Sequence, residues 1–230
     1  RGWKALPCGS PPLPPDPASD ANTFRWQPII GRMLLAACLS GVALLGTWGS
    51  LQQAPTWADA ATTDPETRVS LLPTARSDTL IWASIGAIVG TILAALIADR
   101  LGRRLTYTLL CMASMAIIPT LFLGTSPFDG HYLVVVFAAG AITASFYGWL
   151  PLYLPELFQT RIRATGQGFG FNFGRVIGAV GVLQLGNLKE LFTPMGLGDP
   201  HVYTILGGIY VVGMVLIWFA PETMGKPLPE

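Results

Sequence analysis

Residues 79–104 read TLIWASIGAIVGTILAALIADRLGRR. The first part of this stretch, 79–98, has no charged side chain, and about 20 apolar residues suffice for a helix to cross the hydrocarbon layer of a bilayer. A charged turn then follows, in which Gly102 permits a tight reversal, and a second uncharged run begins at residue 105. The stretch therefore predicts two membrane helices joined by a short charged turn.

The composition of the whole chain agrees with a membrane setting. Only 12% of the 230 residues are charged and 51% are hydrophobic, whereas a soluble chain has about 25% charged residues, so an ordinary cytosolic enzyme is excluded. The formal net charge of +1 disfavours nucleic acid as a partner. The cysteines Cys8, Cys38 and Cys111 are too scattered for a disulfide framework or a metal site, so we expect free thiols, no metal and no cofactor.

Further uncharged runs of spanning length recur along the chain. They are apolar on every face and do not alternate with period two, and a helix satisfies its own backbone in lipid. A soluble helical bundle, the alternative, would need polar outer faces that these runs lack. The predicted fold class is all-α, a polytopic membrane protein with six transmembrane helices near 29–51, 79–98, 105–124, 132–154, 166–186 and 203–220.

The two ends of the chain differ in kind from the apolar middle. Six prolines crowd residues 7–17, which excludes a helix there and predicts an extended linker. Because the chain begins with Arg1 and not with Met, we expect it to be a fragment. The predicted organisation is a Pro-rich cytoplasmic linker at 1–28, a six-helix domain at 29–220 and a cytoplasmic tail at 221–230.

The basic residues predict the orientation of the chain. Six spans place both ends on one side, together with the loops after the second and fourth spans. Near the membrane, that side has eight basic residues: Arg25, Arg32, Arg100, Arg103, Arg104, Arg161, Arg163 and Lys226. The opposite loops have three: Arg68, Arg76 and Lys189. Since short cytoplasmic loops collect positive charge, we expect both ends to be cytoplasmic, in a protein integral to the plasma (inner) membrane.

Three short segments resemble one family of membrane proteins. The run from Ala95 to Arg104 resembles the signature loop G-x-x-x-D-R-x-G-R-R of the major facilitator superfamily, with Ala in place of the usual first Gly. Pro155–Gly166 resembles that family's loop between its tenth and eleventh helices, and Pro221–Lys226 resembles the P-E-T-x-G end of the last helix in sugar-porter-like branches. The resemblance implies that the chain is the C-terminal half of a twelve-helix transporter. This half is a 3+3 inverted repeat, and the N-terminal six-helix half of the transporter is missing.

The resemblance also implies a role for the charges at the helix ends. In similar transporters a network of ion pairs holds the cytoplasmic side closed and breaks when the cavity opens inward. The expected members of this gating network are Asp99, Arg100, Gly102, Arg103, Arg104, Glu156, Arg161, Arg163 and Glu222. The alternatives are exposed pairs that contribute about 0–1 kcal/mol each, or a simple topology anchor in the turn.

A stripe of glycines at a spacing of four residues marks the fifth predicted span. It consists of Gly166, Gly170, Gly174 and Gly178. Small residues let a neighbouring helix approach closely in lipid, so we expect this face to pack against another helix. A smooth glycine face also lets helices slide in a rocking transporter.

Arg175 lies in the middle of the same span, where a cation is expensive unless it faces a partner or a wet cavity. Asn172 lies on the same side of the helix. We expect Arg175 to bind an anionic group of the substrate or to exchange partners with an acidic residue of the missing half; the alternative is a structural pairing. The candidates for the substrate cavity are Arg175, Asn172, Trp48, Gln52, Tyr147 and Trp149, although aromatics near span ends are often an interfacial belt.

These features favour a secondary carrier that works by alternating access within the lipid bilayer. A small metabolite such as an organic acid suits Arg175, while a sugar-porter-type carrier and a non-transporting half-sized scaffold are the alternatives. An intramembrane protease is disfavoured because both histidines fall in external loops, and no repeated polar loop suggests a channel. A coupling proton stays open as a partner, since no Asp or Glu lies inside a predicted span.

Overall fold

The computed structural model describes residues 26–226 and residue 229. Nearly all of the predicted linker at 1–28, and residues 227, 228 and 230 of the predicted tail, lie outside this part of the chain. The described part is helical, as predicted. Its helices are α1 (Trp26–Gly49), α2 (Ala54–Ala61), α3 (Ala75–Leu101), α4 (Arg103–Leu123), α5 (Tyr132–Glu156), α6 (Arg163–Leu183), α7 (Leu185–Phe192), α8 (Asp199–Gly207) and α9 (Ile209–Leu216).

Five helical segments are long and apolar enough to cross a membrane by their length and composition: Ile29–Ala61, Ala75–Leu101, Arg103–Leu123, Tyr132–Glu156 and Asp199–Phe219. They match five of the six predicted spans. The sixth, predicted at 166–186, is a helix of 21 residues, α6, but it is not among these five. Six glycines, two arginines, Gln167 and Asn172 make α6 less apolar than its neighbours, so its crossing of the membrane stays a prediction.

The long helices, with the broken last helix counted as one, form two groups of three along the chain. Each contact between the groups has a counterpart in which the roles of the two groups are exchanged. The first group is α1, α3 and α4; the second is α5, α6 and the broken last helix α8–α9. The first helix of one group packs against the second helix of the other, which gives the pairs α1 with α6 and α3 with α5. The remaining large contacts also come in exchanged pairs, α4 with α5 and α9 with α1. This arrangement agrees with the expected 3+3 inverted repeat.

Glycines allow these paired helices to approach at backbone distance. On α3, Gly86 and Gly90 lie so close to α5 that a methyl group on either would overlap the carbonyl oxygen of Phe137 or Ala141. The relation is reciprocal, because a methyl on Gly140 of α5 would overlap the carbonyl of Ala83. Close packing of small residues stabilises helix pairs in lipid.

The glycine stripe of α6 is buried, and most of it faces α1. A methyl group on Gly170, Gly174 or Gly178 would approach Ala36, Ser40 or Leu44 in turn, one helical turn of α1 for each turn of α6. Gly166 instead faces the ring of Phe158, in the loop before the helix. The stripe therefore lies between α6 and α1.

The part of the chain between α1 and α3 was expected to be an external loop, but it contains helical structure. It includes α2, whose first turn contains Pro55. Trp57 of this helix packs against Phe122 and Tyr132, with ring centroids 5.4 and 6.2 Å away. Packing of the half-buried Trp57 ring thus holds α2 against the bundle.

Candidate functional site: a charged cluster and a cavity

Charged side chains from four parts of the chain meet where α3 ends, at what we call the charged end of the bundle. Asp99 comes from the last turn of α3, Arg103 from the start of α4, and Glu156 from the end of α5. Glu222 and Thr223 come from the segment after the last helix. We refer to these five residues as the charged cluster.

Arg103 lies at the centre of the charged cluster and is only 8% exposed. Its Nε and Nη2 donate to the two carboxylate oxygens of Glu156 at 3.0 and 2.7 Å, which is a bidentate pair. Its Nη1 donates to Asp99 Oδ1 at 2.9 Å. Such charge-assisted bonds are short and directional. One buried guanidinium therefore joins the ends of α3, α4 and α5.

The last segment closes the cluster through its own side chains. Thr223 Oγ1 donates to Glu156 Oε2 at 2.6 Å. The Glu222 carboxylate accepts the backbone N–H groups of Arg103 and Arg104, each at 3.0 Å, at the start of α4. A carboxylate at this position also complements the positive end of the helix dipole.

The reversal between α3 and α4 depends on Gly102. Its φ of +90° lies in a region that side-chain-bearing residues rarely adopt. A Cβ there would also lie 3.3 Å from Met224 Sδ and 3.4 Å from Glu222 Oε2. The glycine of the turn thus serves both the backbone conformation and the docking of the last segment.

The pKa of the Glu222 carboxyl is shifted by this arrangement. Partial burial raises the pKa, but donation from the backbone N–H groups of Arg104, Arg103, Met224 and Thr223 outweighs burial, so the pKa lies below its usual value. Because the pKa of this carboxyl is lower in the folded state than in the unfolded chain, ionisation of the carboxyl stabilises the fold. This stabilisation is complete at pH values above the unfolded pKa of about 4.5. That contribution is lost as the pH falls below this value through the folded pKa.

We expect Glu222→Gln to lower the free energy of unfolding by about 1 kcal/mol at pH 7, because an amide oxygen accepts more weakly than a carboxylate. The difference from wild type should shrink as the pH falls below 4.5, where the wild-type carboxyl becomes protonated. Thermal unfolding in detergent between pH 7 and pH 3.5 measures it. The exposed Glu66, changed to Gln, is the control, and stability curves for wild type and Glu222→Gln that stay parallel over the whole range would contradict the expectation.

The other expected members of the gating network lie around the charged cluster. Arg104 Nε donates to the carbonyl of Ala220 at 2.6 Å. Arg163 donates to the carbonyls of Phe158 and Pro229 at 3.4 and 2.8 Å, and ties the loop after α5 to the tail. Arg100 and Arg161 are exposed side chains at the same end of the bundle.

Trp149 belongs to the charged end and not to the substrate cavity where it was expected. It is fully buried, and its Nε1 donates to the carbonyl of Arg103 at 3.1 Å. Its ring packs between Tyr107 and Tyr153, with centroids 4.7 Å from each. Tyr153 in turn donates to the carbonyl of Pro221 at 2.7 Å. In this structure the polar edge of the Trp149 indole points at the start of α4, and a contact of Trp149 with substrate stays a prediction.

A cavity of about 710 Å³ opens between α1, α3 and α5. It extends along α3 from Leu80 to Ile92, and two expected candidates, Gln52 and Tyr147, are in its wall. Polar groups that the sequence analysis did not single out also contribute to the wall: Thr47, Ser84 and Thr91. Isolated hydroxyl side chains within otherwise apolar spans were the signal that could have found them. A cavity of this size fits a small organic molecule.

The Tyr147 hydroxyl is the unsatisfied polar group of this cavity. It lies beside the side chains of Thr47 and Trp48 but makes no hydrogen bond of good geometry among the described residues, although its oxygen is buried. Buried polar atoms usually have a partner, so an orphan hydroxyl in a cavity wall indicates a position for a ligand or water. Trp48, another expected candidate, is half-buried next to it.

Arg175 and Asn172 are both exposed on α6. The Arg175 guanidinium lies over the ring of Phe171, 5.0 Å from its centroid, and interacts electrostatically with the Tyr147 hydroxyl. No recorded ion pair of the described chain includes Arg175. Asn172 donates to the carbonyl of Gly168 at 2.9 Å, one turn back along its own helix. The cation is thus near the cavity, whereas the amide is engaged locally.

The sequence of this chain is similar to sequences of known proteins. The family described as sugar (and other) transporter matches residues 73–230. The cis,cis-muconate transport protein of Acinetobacter baylyi is 33% identical over 141 residues, which are 61% of this chain and 32% of that protein. A probable 4-methylmuconolactone transporter of Cupriavidus pinatubonensis is 30% identical over 148 residues, 64% of this chain and 33% of that protein.

A more distant organism supplies another relative. Organic anion transporter 3 of Oryctolagus cuniculus is 33% identical over 132 residues, 56% of this chain and 23% of that protein. The matched part of the chain thus spans about a third or less of the length of each of these relatives. The three loop motifs, the helical architecture and the family match over most of the chain agree: this chain belongs to the sugar (and other) transporter family of the major facilitator superfamily.

Proposed function

We propose that the chain forms one half of a secondary carrier that moves a small organic anion across a membrane by alternating access. A second six-helix half, supplied by the rest of the carrier, completes the substrate cavity. The observation that carries this proposal is the orphan hydroxyl of Tyr147 in the cavity wall, on which the charge of Arg175 acts electrostatically. Arg175 is in none of the ion pairs found among the described residues. A guanidinium and a hydroxyl together suit a carboxylate.

The names of the relatives support an anionic substrate. Muconate is a dicarboxylate, and another relative is named as an organic anion transporter. The cavity wall also supports a small, partly apolar molecule, because it combines a few hydroxyl groups with many apolar side chains. A neutral sugar would leave the Arg175 cation without a partner, so sugars are the alternative that the experiment must separate.

We infer that the charged cluster is a latch on the cytoplasmic side. The bidentate bond between Arg103 and Glu156 joins α4 to α5. Glu222 fastens the segment after the last helix to the start of α4, and Thr223 of the same segment donates to Glu156 of α5. In this structure the charged end is closed, while the cavity reaches from the Gln52 end of α1 inward to Tyr147. We infer that this conformation corresponds to a carrier open toward the Gln52 end of α1, the proposed outer side, and that opening inward requires these ion pairs to break.

The test of the substrate class is uptake by cells that express the complete carrier. Arg175→Gln should raise the KM for cis,cis-muconate by about tenfold to hundredfold, because a charge-assisted bond contributes about 1.5–3 kcal/mol. Arg175→Lys should retain part of the affinity, since it keeps the charge and loses the forked geometry. Tyr147→Phe should raise the KM by a smaller factor.

A matched control and a competitor complete this experiment. Arg76→Gln removes an exposed arginine at the opposite end of the bundle from the charged cluster and should leave the KM unchanged. Unlabelled glucose should not compete with muconate. If Arg175→Gln transports with the wild-type KM, or if glucose competes as well as muconate does, the proposal for the substrate is wrong.

A further inference from the structure

A second crevice, separate from the substrate cavity, lies beside the charged end. It has a volume of about 420 Å³ and is formed by the start of α1, the start of α4 and the segment after α9. Its lining residues are Gly31, Arg32, Leu35, Arg104, Phe219 and Pro221. The neighbouring cluster residue Arg103 is not among them, so the crevice and the ion pairs are distinct features.

Two arginines of this crevice have no acidic partner among the residues that the structure describes. Arg32 Nη1 donates to the carbonyl of Leu157 at 3.1 Å, and Arg104 Nε donates to that of Ala220 at 2.6 Å. The ion pairs recorded for residues 26–226 include neither arginine. Both arginines line the same crevice, one from the start of α1 and the other from the start of α4. Each guanidinium has five N–H donors, so most donors on both remain available for a ligand.

The wall of the crevice also contains apolar side chains. Phe219 in this wall is 76% exposed, and Leu35 of α1 in the same wall is half-buried. These residues lie at the ends of apolar helices, where hydrocarbon meets the headgroup region of a bilayer. A site that places two cations at a helix end and apolar side chains beside them matches a molecule with an anionic head and acyl chains.

We propose that this crevice binds the phosphate of an anionic phospholipid, held between Arg32 and Arg104 with its acyl chains along Phe219 and Leu35. Basic pockets between transmembrane helices bind such headgroups because the phosphate oxygens accept from several guanidinium N–H groups at once. The apolar wall favours a lipid over a soluble phosphate. This site goes beyond the transport proposal, and its test measures lipid binding and not uptake.

The test is native mass spectrometry of the chain purified in detergent and mixed with phosphatidylglycerol or phosphatidylcholine of the same acyl chains. The wild type should retain phosphatidylglycerol several times more tightly. Arg32→Gln and Arg104→Gln should each weaken retention by about fivefold, the factor expected for one basic side chain near an anionic surface. Phe219→Ala should weaken the retention of both lipids.

Arg100→Gln is the matched control, because it removes an exposed arginine from the same end of the bundle outside the crevice. It should leave retention unchanged. Equal retention of the two lipids by the wild type would overturn the proposal without reference to any variant. Full displacement of phosphatidylglycerol by an equal concentration of inorganic phosphate would overturn the assignment to lipid, and so would unchanged retention in a folded variant that lacks both arginines.

Discussion

Gly90→Ala is expected to lower the free energy of unfolding by about 3 kcal/mol, although it adds a single methyl group to a helix. The added Cβ would overlap the carbonyl oxygen of Ala141. That oxygen belongs to the backbone of α5, so no change of rotamer relieves the overlap, and the two helices must separate. Overpacking of a tight interior costs about 1–3 kcal/mol, and a clash with backbone lies at the upper end.

Thermal unfolding of the purified chain in detergent, followed by circular dichroism, measures this effect. The matched control is Gly168→Ala in α6, where the same methyl group meets no atom within 4 Å. There the change adds only helix propensity, which favours folding by up to about 1 kcal/mol. If both variants unfold at the same temperature, the close contact between α3 and α5 is not the source of the stability claimed for it.

Glu156→Gln is expected to lower the free energy of unfolding by about 3 kcal/mol. The variant leaves the guanidinium of Arg103, which is 8% exposed, without its bidentate partner. Loss of one member of a buried ion pair costs about 3–5 kcal/mol. The lower figure applies because Asp99 keeps its bond to Arg103.

Glu190→Gln is the control for this change, since Glu190 is an exposed carboxylate on α7. A surface substitution of this kind should alter stability by no more than about 0.5 kcal/mol. The same pair of variants tests the proposed latch in the complete carrier. Uptake should slow in Glu156→Gln and stay unchanged in Glu190→Gln; a wild-type uptake rate in a stably inserted Glu156→Gln carrier would refute the latch.

Much of the fold follows from local properties of the chain. The uncharged runs predicted five apolar helical segments that the structure contains, because the length of a membrane helix is set by the thickness of the bilayer. Four of them match within a few residues, and the first continues through α2 to Ala61. The turn between α3 and α4 was predicted from Gly102, whose positive φ the structure shows. The broken last helix was not predicted, since Gly208 lies within an apolar run that gives no stop signal.

The candidate site was predicted less completely. Asp99, Arg103, Glu156 and Glu222 were expected in one network, and the structure brings their side chains together. Thr223 was missed as a donor to Glu156, because a threonine next to a motif glutamate has no distinctive pattern. Trp149 was placed in the cavity because aromatic residues near span ends look alike in sequence, whichever way their polar edges point.

Composition and the spacing of charges determined by themselves that this chain is a helical membrane protein with a basic end, because the cost of exposing charges and backbone to lipid acts on each segment separately. Only the tertiary structure decided which carboxylate meets Arg103, which glycines face a backbone carbonyl, and that Arg175 lies near the Tyr147 hydroxyl. Those pairings depend on the rotation and depth of each helix relative to its neighbours. Packing among distant segments sets these quantities, and no local stretch of residues contains them.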